Sequence, residues 1–106
     1  MPTPDSPSDG PFVVQADPII KGLVKGYVNN RRTDLAKIET ALGAGDFKGL
    51  RRIGHDMKGS GGAYGMPPIS VIGAAIENAA LAQDAAKIQS AAKELAAFLD
   101  RVVLPT

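Results

Sequence analysis

The chain has 106 residues, of which 44% are hydrophobic and 22% charged, and its net charge is +1. This length fits one compact domain with a single core, and the near-neutral charge argues against nucleic acid or an acidic membrane surface as a partner. The sequence has no cysteine, no signal-peptide pattern and no apolar run near the ~20 residues of a membrane span, which excludes disulfides and thiol catalysis and predicts a cytoplasmic protein that does not contact membranes.

Residues 1–16 are predicted to form a disordered or extended leader. Residues 1–11 contain four prolines and no large apolar residue after Met1. Such a stretch buries too little surface to offset its loss of conformational entropy. The following FVVQA (12–16) is able to lie extended against the rest of the chain, and the folded domain is predicted over residues 17–106.

The first helical region begins at Asp17-Pro18, which resembles an N-cap followed by proline at the first helical position. Apolar residues then recur at helical spacing, interrupted by the polar run NNRRTD (29–34). This pattern predicts either one long helix or two consecutive ones. The sequence GAGD (43–46) ends the region, with Asp46 placed to cap the next helix.

Two further helices are predicted after residue 65. The sequence GMPPI (65–69) breaks the chain, and its prolines suit the start of a helix. A short turn at 82–84 separates this helix from the last one, with Asp84 as a cap. The pattern is all-α, and the short connections favour an up-and-down antiparallel four-helix bundle with an N-terminal helical lead-in.

The segment RIGHDMKGSGGAYG (52–65) holds the only histidine, His55. If residues 47–64 are drawn as one helix, apolar residues gather on the side opposite His55. The side that carries His55 also carries four cations and two glycines, which are Lys48, Arg51, Arg52, Lys58, Gly59 and Gly62. A connecting loop has no reason to sort its residues at helical spacing.

Glycines inside a helix cost about 1 kcal/mol each relative to alanine, so they are expected to serve a purpose. Gly59 and Gly62 lie one and two turns beyond His55 on its own face, where the absence of side chains leaves the imidazole accessible. Gly61 points inward, where it allows a neighbouring helix to approach closely. An exposed histidine without a task and a solvated basic face are the common alternatives, but they predict no such register.

Residues 55–65, HDMKGSGGAYG, fit the pattern H-x-x-K-G-S-x-x-x-x-G. This pattern resembles the signature of the histidine-containing phosphotransfer (HPt) domain, and the order of helices and breaks over about residues 17–104 is similar as well. The resemblance implies a phosphorelay intermediate in two-component signalling rather than an enzyme, which accepts a phosphoryl group on His55 from a receiver-domain aspartate and passes it on reversibly.

The resemblance also implies roles for neighbouring residues. Lys58 would offset the phosphoryl charge, Gly59 and Gly62 would give the partner room, and Ser60 would support the site together with the charges of Arg51 and Arg52. Gly65 would match the last glycine of the motif. A polar residue from the following helix would be either Glu77 or Asn78.

The chemistry suits these residues. A free imidazole has a pKa near about 6.5, so much of it is an uncharged nucleophile at neutral pH. Phosphoryl transfer needs in-line access and nearby cations. The expected partners are receiver domains and a hybrid histidine kinase, with Mg²⁺ on the receiver and no metal or cofactor on this monomeric chain.

Three other functions were weighed against this one. A nucleotide-binding loop at KGSGGAYG would need a preceding strand, whereas the residues before it predict a helix. A histidine kinase dimerisation domain is compatible with Asp56 directly after His55, but an ATP-binding domain would have to follow. A helical adaptor that binds a receiver without carrying phosphate leaves His55 and Lys58 unexplained.

Overall fold

The computed structural model describes residues 10–104, and these residues are mostly helical. The helices are α1 (Pro18–Lys21), α2 (Val24–Gly43), α3 (Phe47–Ser60), α4 (Pro67–Leu81) and α5 (Ala85–Arg101), with a 3₁₀ turn at Gly62–Tyr64. Two short strands, β1 (Phe12–Val13) and β2 (Val102–Val103), pair in parallel. The predicted all-α class is confirmed.

The helix boundaries follow the capping residues in the sequence. Asp17 accepts a hydrogen bond from the Ile19 amide at the start of α1. Asp46 accepts from the Gly49 amide at 2.9 Å at the start of α3, and Asp84 accepts from the Lys87 amide at 3.1 Å at the start of α5. Proline begins α4. The first helical region is two consecutive helices, because α1 ends after one turn and α2 begins at Val24.

The polar run within α2 remains helical because its charges are paired. The Arg31 Nε lies 2.8 Å from a carboxylate oxygen of buried Asp34, and the Arg31 guanidinium lies over the Tyr27 ring. Burial raises the pKa of Asp34, and the nearby Arg31 charge opposes that effect. The Arg31 charge on the preceding turn thus offsets much of the cost of burying the Asp34 carboxylate.

The core lies between the four long helices. Helix α3 packs most extensively on α4, α4 also packs on α5, and α2 contacts both α3 and α5. The largest fully buried side chains are apolar, and they are Val24, Ile38, Leu50, Met57, Met66, Ile69, Ile76, Ile88, Leu95 and Leu99. No helix within residues 10–104 is long and apolar enough to cross a bilayer.

The histidine helix ends earlier than the wheel over residues 47–64 assumed. Helix α3 stops at Ser60, and the chain tightens into the 3₁₀ turn before Gly65 takes a left-handed conformation with φ of 80°. The Gly62 amide donates to Ser70 Oγ at 2.9 Å instead of continuing the helix. The physical reason is the three glycines after Lys58, which weaken the helix just where a side-chain acceptor on α4 competes for the backbone.

The segment before α1 lies extended on the domain. Val14 is buried, and the Phe12 ring meets the Phe98 ring edge-on, with centroids 4.9 Å apart. The Gln15 carbonyl passes so close to Gly65 that a Cβ there would stand 2.6 Å from its oxygen. The predicted division at residue 17 remains a prediction, and residues 1–9 of the predicted leader lie outside the described residues.

Candidate functional site

His55 stands on the outer face of α3, and its side chain is 70% exposed. The opposite face is fixed in the core by Leu50 and Met57, which are fully buried. The amphipathic pattern therefore sets the rotation of the helix and turns the imidazole toward solvent.

A carboxylate from α4 contacts the imidazole. Glu77 Oε2 lies 2.8 Å from His55 Nδ1, and Glu77 Oε1 lies 3.2 Å from Lys58 Nζ. The Glu77 side chain is only 13% exposed, whereas that of Lys58 is 54% exposed. One largely covered carboxylate thus holds both the histidine and the lysine of the sequence motif.

This contact assigns different roles to the two ring nitrogens. The hydrogen bond from His55, followed by that from Lys58, lowers the pKa of Glu77, so its carboxylate is ionised at neutral pH. An ionised carboxylate only accepts hydrogen bonds, so Nδ1 carries the proton in the neutral imidazole. Nε2 then bears the lone pair of the neutral ring.

Three cations extend along α3 before His55. Lys48, Arg51 and Arg52 are exposed, and together with His55 and Glu77 they line one open depression. The structure therefore brings Arg51 and Arg52 to the histidine face, as the wheel predicted. Neither makes an ion pair with any residue between 10 and 104.

The two glycines predicted to give access differ in the structure. Gly59 is exposed on α3, and no described atom outside its own helix lies within 4 Å of where a Cβ would stand. Gly62 lies beyond the end of α3, with Ser70 Oγ 3.9 Å from its Cβ position. Gly62 therefore does not lie on the His55 face of α3 as predicted, because the helix ends at Ser60.

Other glycines let α3 and α4 approach closely. A Cβ on Gly54 would stand 2.5 Å from the Glu77 amide nitrogen and 2.7 Å from the Gly73 carbonyl oxygen. A Cβ on Gly61 would stand 2.5 Å from the Ser70 amide nitrogen. The sequence predicted that Gly61 points inward. It did not predict the close approach of the two helices at Gly54 and Gly73.

Ser60 links the end of α3 to α2. Its hydroxyl donates to the Asp56 carbonyl at 2.8 Å, and the Tyr27 hydroxyl donates to Ser60 Oγ at 2.8 Å, because the serine proton is already used. The Tyr27 ring stacks on Tyr64, with centroids 4.1 Å apart. Ser60, about 1.4 turns after His55, thus fixes the end of α3 against α2.

The sequence left two candidates for the polar residue on α4, and the structure places Glu77 at the site. Asn78 is exposed one residue further on. Only the structure shows that the Glu77 carboxylate contacts His55 Nδ1. The signal that could have identified it is the small-residue spacing of Gly54 and Gly73, which brings the two helices together at this level.

Among residues 10–104 no group of three or more acidic or histidine side chains forms a metal site. No curated protein and no solved structure matched the chain significantly. A family model described as the Hpt domain matches residues 22–103, a range that includes the whole H-x-x-K-G-S motif and all four long helices. The chain therefore belongs to the Hpt domain family, whose members carry phosphoryl groups on histidine in two-component signalling and interact with receiver domains and histidine kinases.

Proposed function

We propose that His55 is the phosphoryl acceptor of a phosphorelay, taking the group from a receiver-domain aspartate and passing it reversibly to another receiver. The observation that carries this proposal is the exposed imidazole, whose Nδ1 is held by Glu77 while no residue between 10 and 104 binds Nε2. A nucleophile that must meet a second protein needs such exposure together with a fixed tautomer.

In the proposed step, the Nε2 lone pair attacks phosphorus as the bond from phosphorus to the aspartate oxygen breaks. The aspartate leaves as a carboxylate, and a phosphoramidate forms on His55. The charge that the ring gains is stabilised through the Nδ1–H bond to Glu77. The reverse step returns the electron pair to Nε2, so no proton has to move in either direction.

Lys58 is proposed to stabilise the phosphoryl group. It lies one turn after His55, and helical side chains lean toward the N-terminus, so its ammonium leans back over the histidine. Lysine has three donors, and within the described part of the chain one of them is used, on Glu77 Oε1. The remaining donors are available to phosphoryl oxygens, where negative charge is spread in the loose transition state.

The other site residues support access and position. Gly59 provides clearance for the incoming receiver, and Gly62 provides it where the chain leaves α3. Ser60 keeps the end of α3 in place through Tyr27. Arg51 and Arg52, on the preceding turn, raise the positive potential around His55 without contacting the phosphoryl group. The receiver supplies Mg²⁺, and this chain contributes no cofactor.

The proposed protein is a cytoplasmic monomer with an up-and-down antiparallel bundle over residues 17–106 and a leader before it. The packing of each long helix against two others supports the bundle arrangement. The absence of cysteine is in keeping with a reducing compartment.

The test is transfer of label from phosphorylated receiver domains of the same genome to the purified chain. Label that is acid-labile and stable in alkali is expected, and it should be lost in His55→Gln. The exposed side chain makes little contact with the core, so the variant should unfold at the same urea concentration. Asp56→Asn is the matched control. It removes the carboxylate next to His55 and should leave the label on His55.

Label that persists in His55→Gln would refute the site. A stable dimer in dilute solution would instead support the kinase dimerisation alternative, and receiver binding without any label would support the adaptor alternative.

A further inference from the structure

The basic side chains at the start of α3 form a group beside His55. Four of the nine other cations within residues 10–104 each lie against a carboxylate, and they are Arg31, Arg32, Lys58 and Lys87. Lys48, Arg51 and Arg52 are exposed side by side, and none of them pairs with a carboxylate within residues 10–104. We call these three residues the cationic patch.

The patch is poorly placed to touch a phosphoryl group on His55. Side chains on a helix lean toward its N-terminus, so residues before His55 lean away from it, whereas Lys58 leans toward it. Lys48 also lies seven residues before His55, which is about 10 Å along the helix axis. The charges of the patch therefore face whatever covers the first two turns of α3.

The covering molecule follows from the position of the histidine. A partner that reaches His55 Nε2 in line must rest on the neighbouring turns of α3, and the depression that contains His55 extends over the patch. Glu77 is the one carboxylate lining that depression, and it is bound to His55 and Lys58. The surface thus presents unpaired positive charge to the partner.

We infer that the cationic patch binds a carboxylate-rich surface of the receiver domain beside its phosphorylated aspartate, and so selects among receivers. This inference rests on the proposed function. Complementary charge raises association rates by about 10- to 1000-fold and disfavours partners with like charge. Receivers with a basic or neutral rim should therefore be slow partners of this protein.

The test is a charge reversal, Lys48→Glu with Arg51→Glu, in the full chain. The matched control is Lys25→Glu with Lys93→Glu, which makes the same change in net charge at exposed positions on α2 and α5. Initial transfer rates are measured with phosphorylated receiver domains at ionic strengths of about 0.01 M and about 1 M, where the Debye length is about 30 Å and about 3 Å. Phosphoramidate, a small donor without a protein surface, gives a second rate for each variant.

At low salt the patch variant should lose about tenfold in rate with its best receiver, and most of that loss should disappear at high salt. Its loss with phosphoramidate should be clearly smaller, and the control should stay near the wild-type rate. A loss of equal size in the control, an unchanged patch variant, or an equal loss with phosphoramidate would each overturn the inference. A wild-type chain that takes no label from any receiver would instead refute the proposed function, and the inference with it.

Discussion

The two faces of α3 use glycine for opposite purposes. On the inner face, Gly54 lets the backbone of α4 come within 2.5 Å of where a Cβ would stand. On the outer face, no atom of residues 10–104 outside the helix itself lies within 4 Å of the same position on Gly59. The inner glycine brings Glu77 within reach of the histidine, and the outer one leaves the histidine within reach of a partner. The same residue type thus affects folding at one position and, by our proposal, docking at the other.

The largest effect on stability is expected on the inner face. Gly54→Ala places a methyl group against the Glu77 amide and the Gly73 carbonyl, and backbone atoms cannot move aside as a flexible side chain would. Overpacking of this kind costs about 3 kcal/mol, of which the better helix propensity of alanine returns about 1 kcal/mol. Urea unfolding should therefore give a loss of about 2 kcal/mol in the free energy of unfolding.

Gly59→Ala is the matched control for this comparison. The same methyl group meets no described atom outside its own helix, so the propensity gain of up to about 1 kcal/mol should be seen in full. Equal stabilities for the two alanine variants would show that the inner glycine is not a packing requirement.

A bulky side chain on the outer face should slow transfer without destabilising the fold. Gly59→Leu puts a branched side chain one turn beyond His55, where it should hold the receiver away from Nε2. A displacement of about 1 Å at the reacting atoms costs about a hundredfold in rate. The measurement is the initial rate of label transfer from a receiver, with circular dichroism to confirm unchanged helicity.

Phosphoramidate provides the control for Gly59→Leu, because a small donor needs little clearance. Its reaction should be much less affected than the receiver reaction. A leucine variant that takes label from the receiver at the wild-type rate would contradict the clearance role.

The sequence predicted what depends on one helix at a time. The caps at Asp17, Asp46 and Asp84 each act over two or three residues, and the apolar stripe of α3 alone placed His55 outside. These features need no knowledge of the other helices, which is why they could be predicted from spacing.

What was missed depends on the relation between two helices. Choosing Glu77 over Asn78 requires the level at which α4 crosses α3, and that level is set by the close approach at Gly54 and Gly73. The end of α3 was misplaced for a similar reason, because Ser70 on α4 supplies the acceptor that draws the Gly62 amide out of the helix. A helical wheel drawn for one helix contains no information on either contact between α3 and α4.

The smallest of the three effects is expected at Lys58, which belongs to the outer face but is tied to the inner one through Glu77. Lys58→Ala should slow transfer about tenfold, equivalent to about 1.4 kcal/mol, since Arg51 and Arg52 still contribute positive charge nearby. Folding should be intact, because the side chain is half exposed and Glu77 keeps its bond to His55.

Salt distinguishes direct contact from steering, because the field between exposed charges is screened within about 10 Å at 0.1 M. The Lys58→Ala defect should therefore persist as salt is raised, whereas that of the cationic patch should fade. A Lys58→Ala defect that also vanished at moderate salt would make Lys58 one more steering charge, and the proposed contact with the phosphoryl group would be wrong.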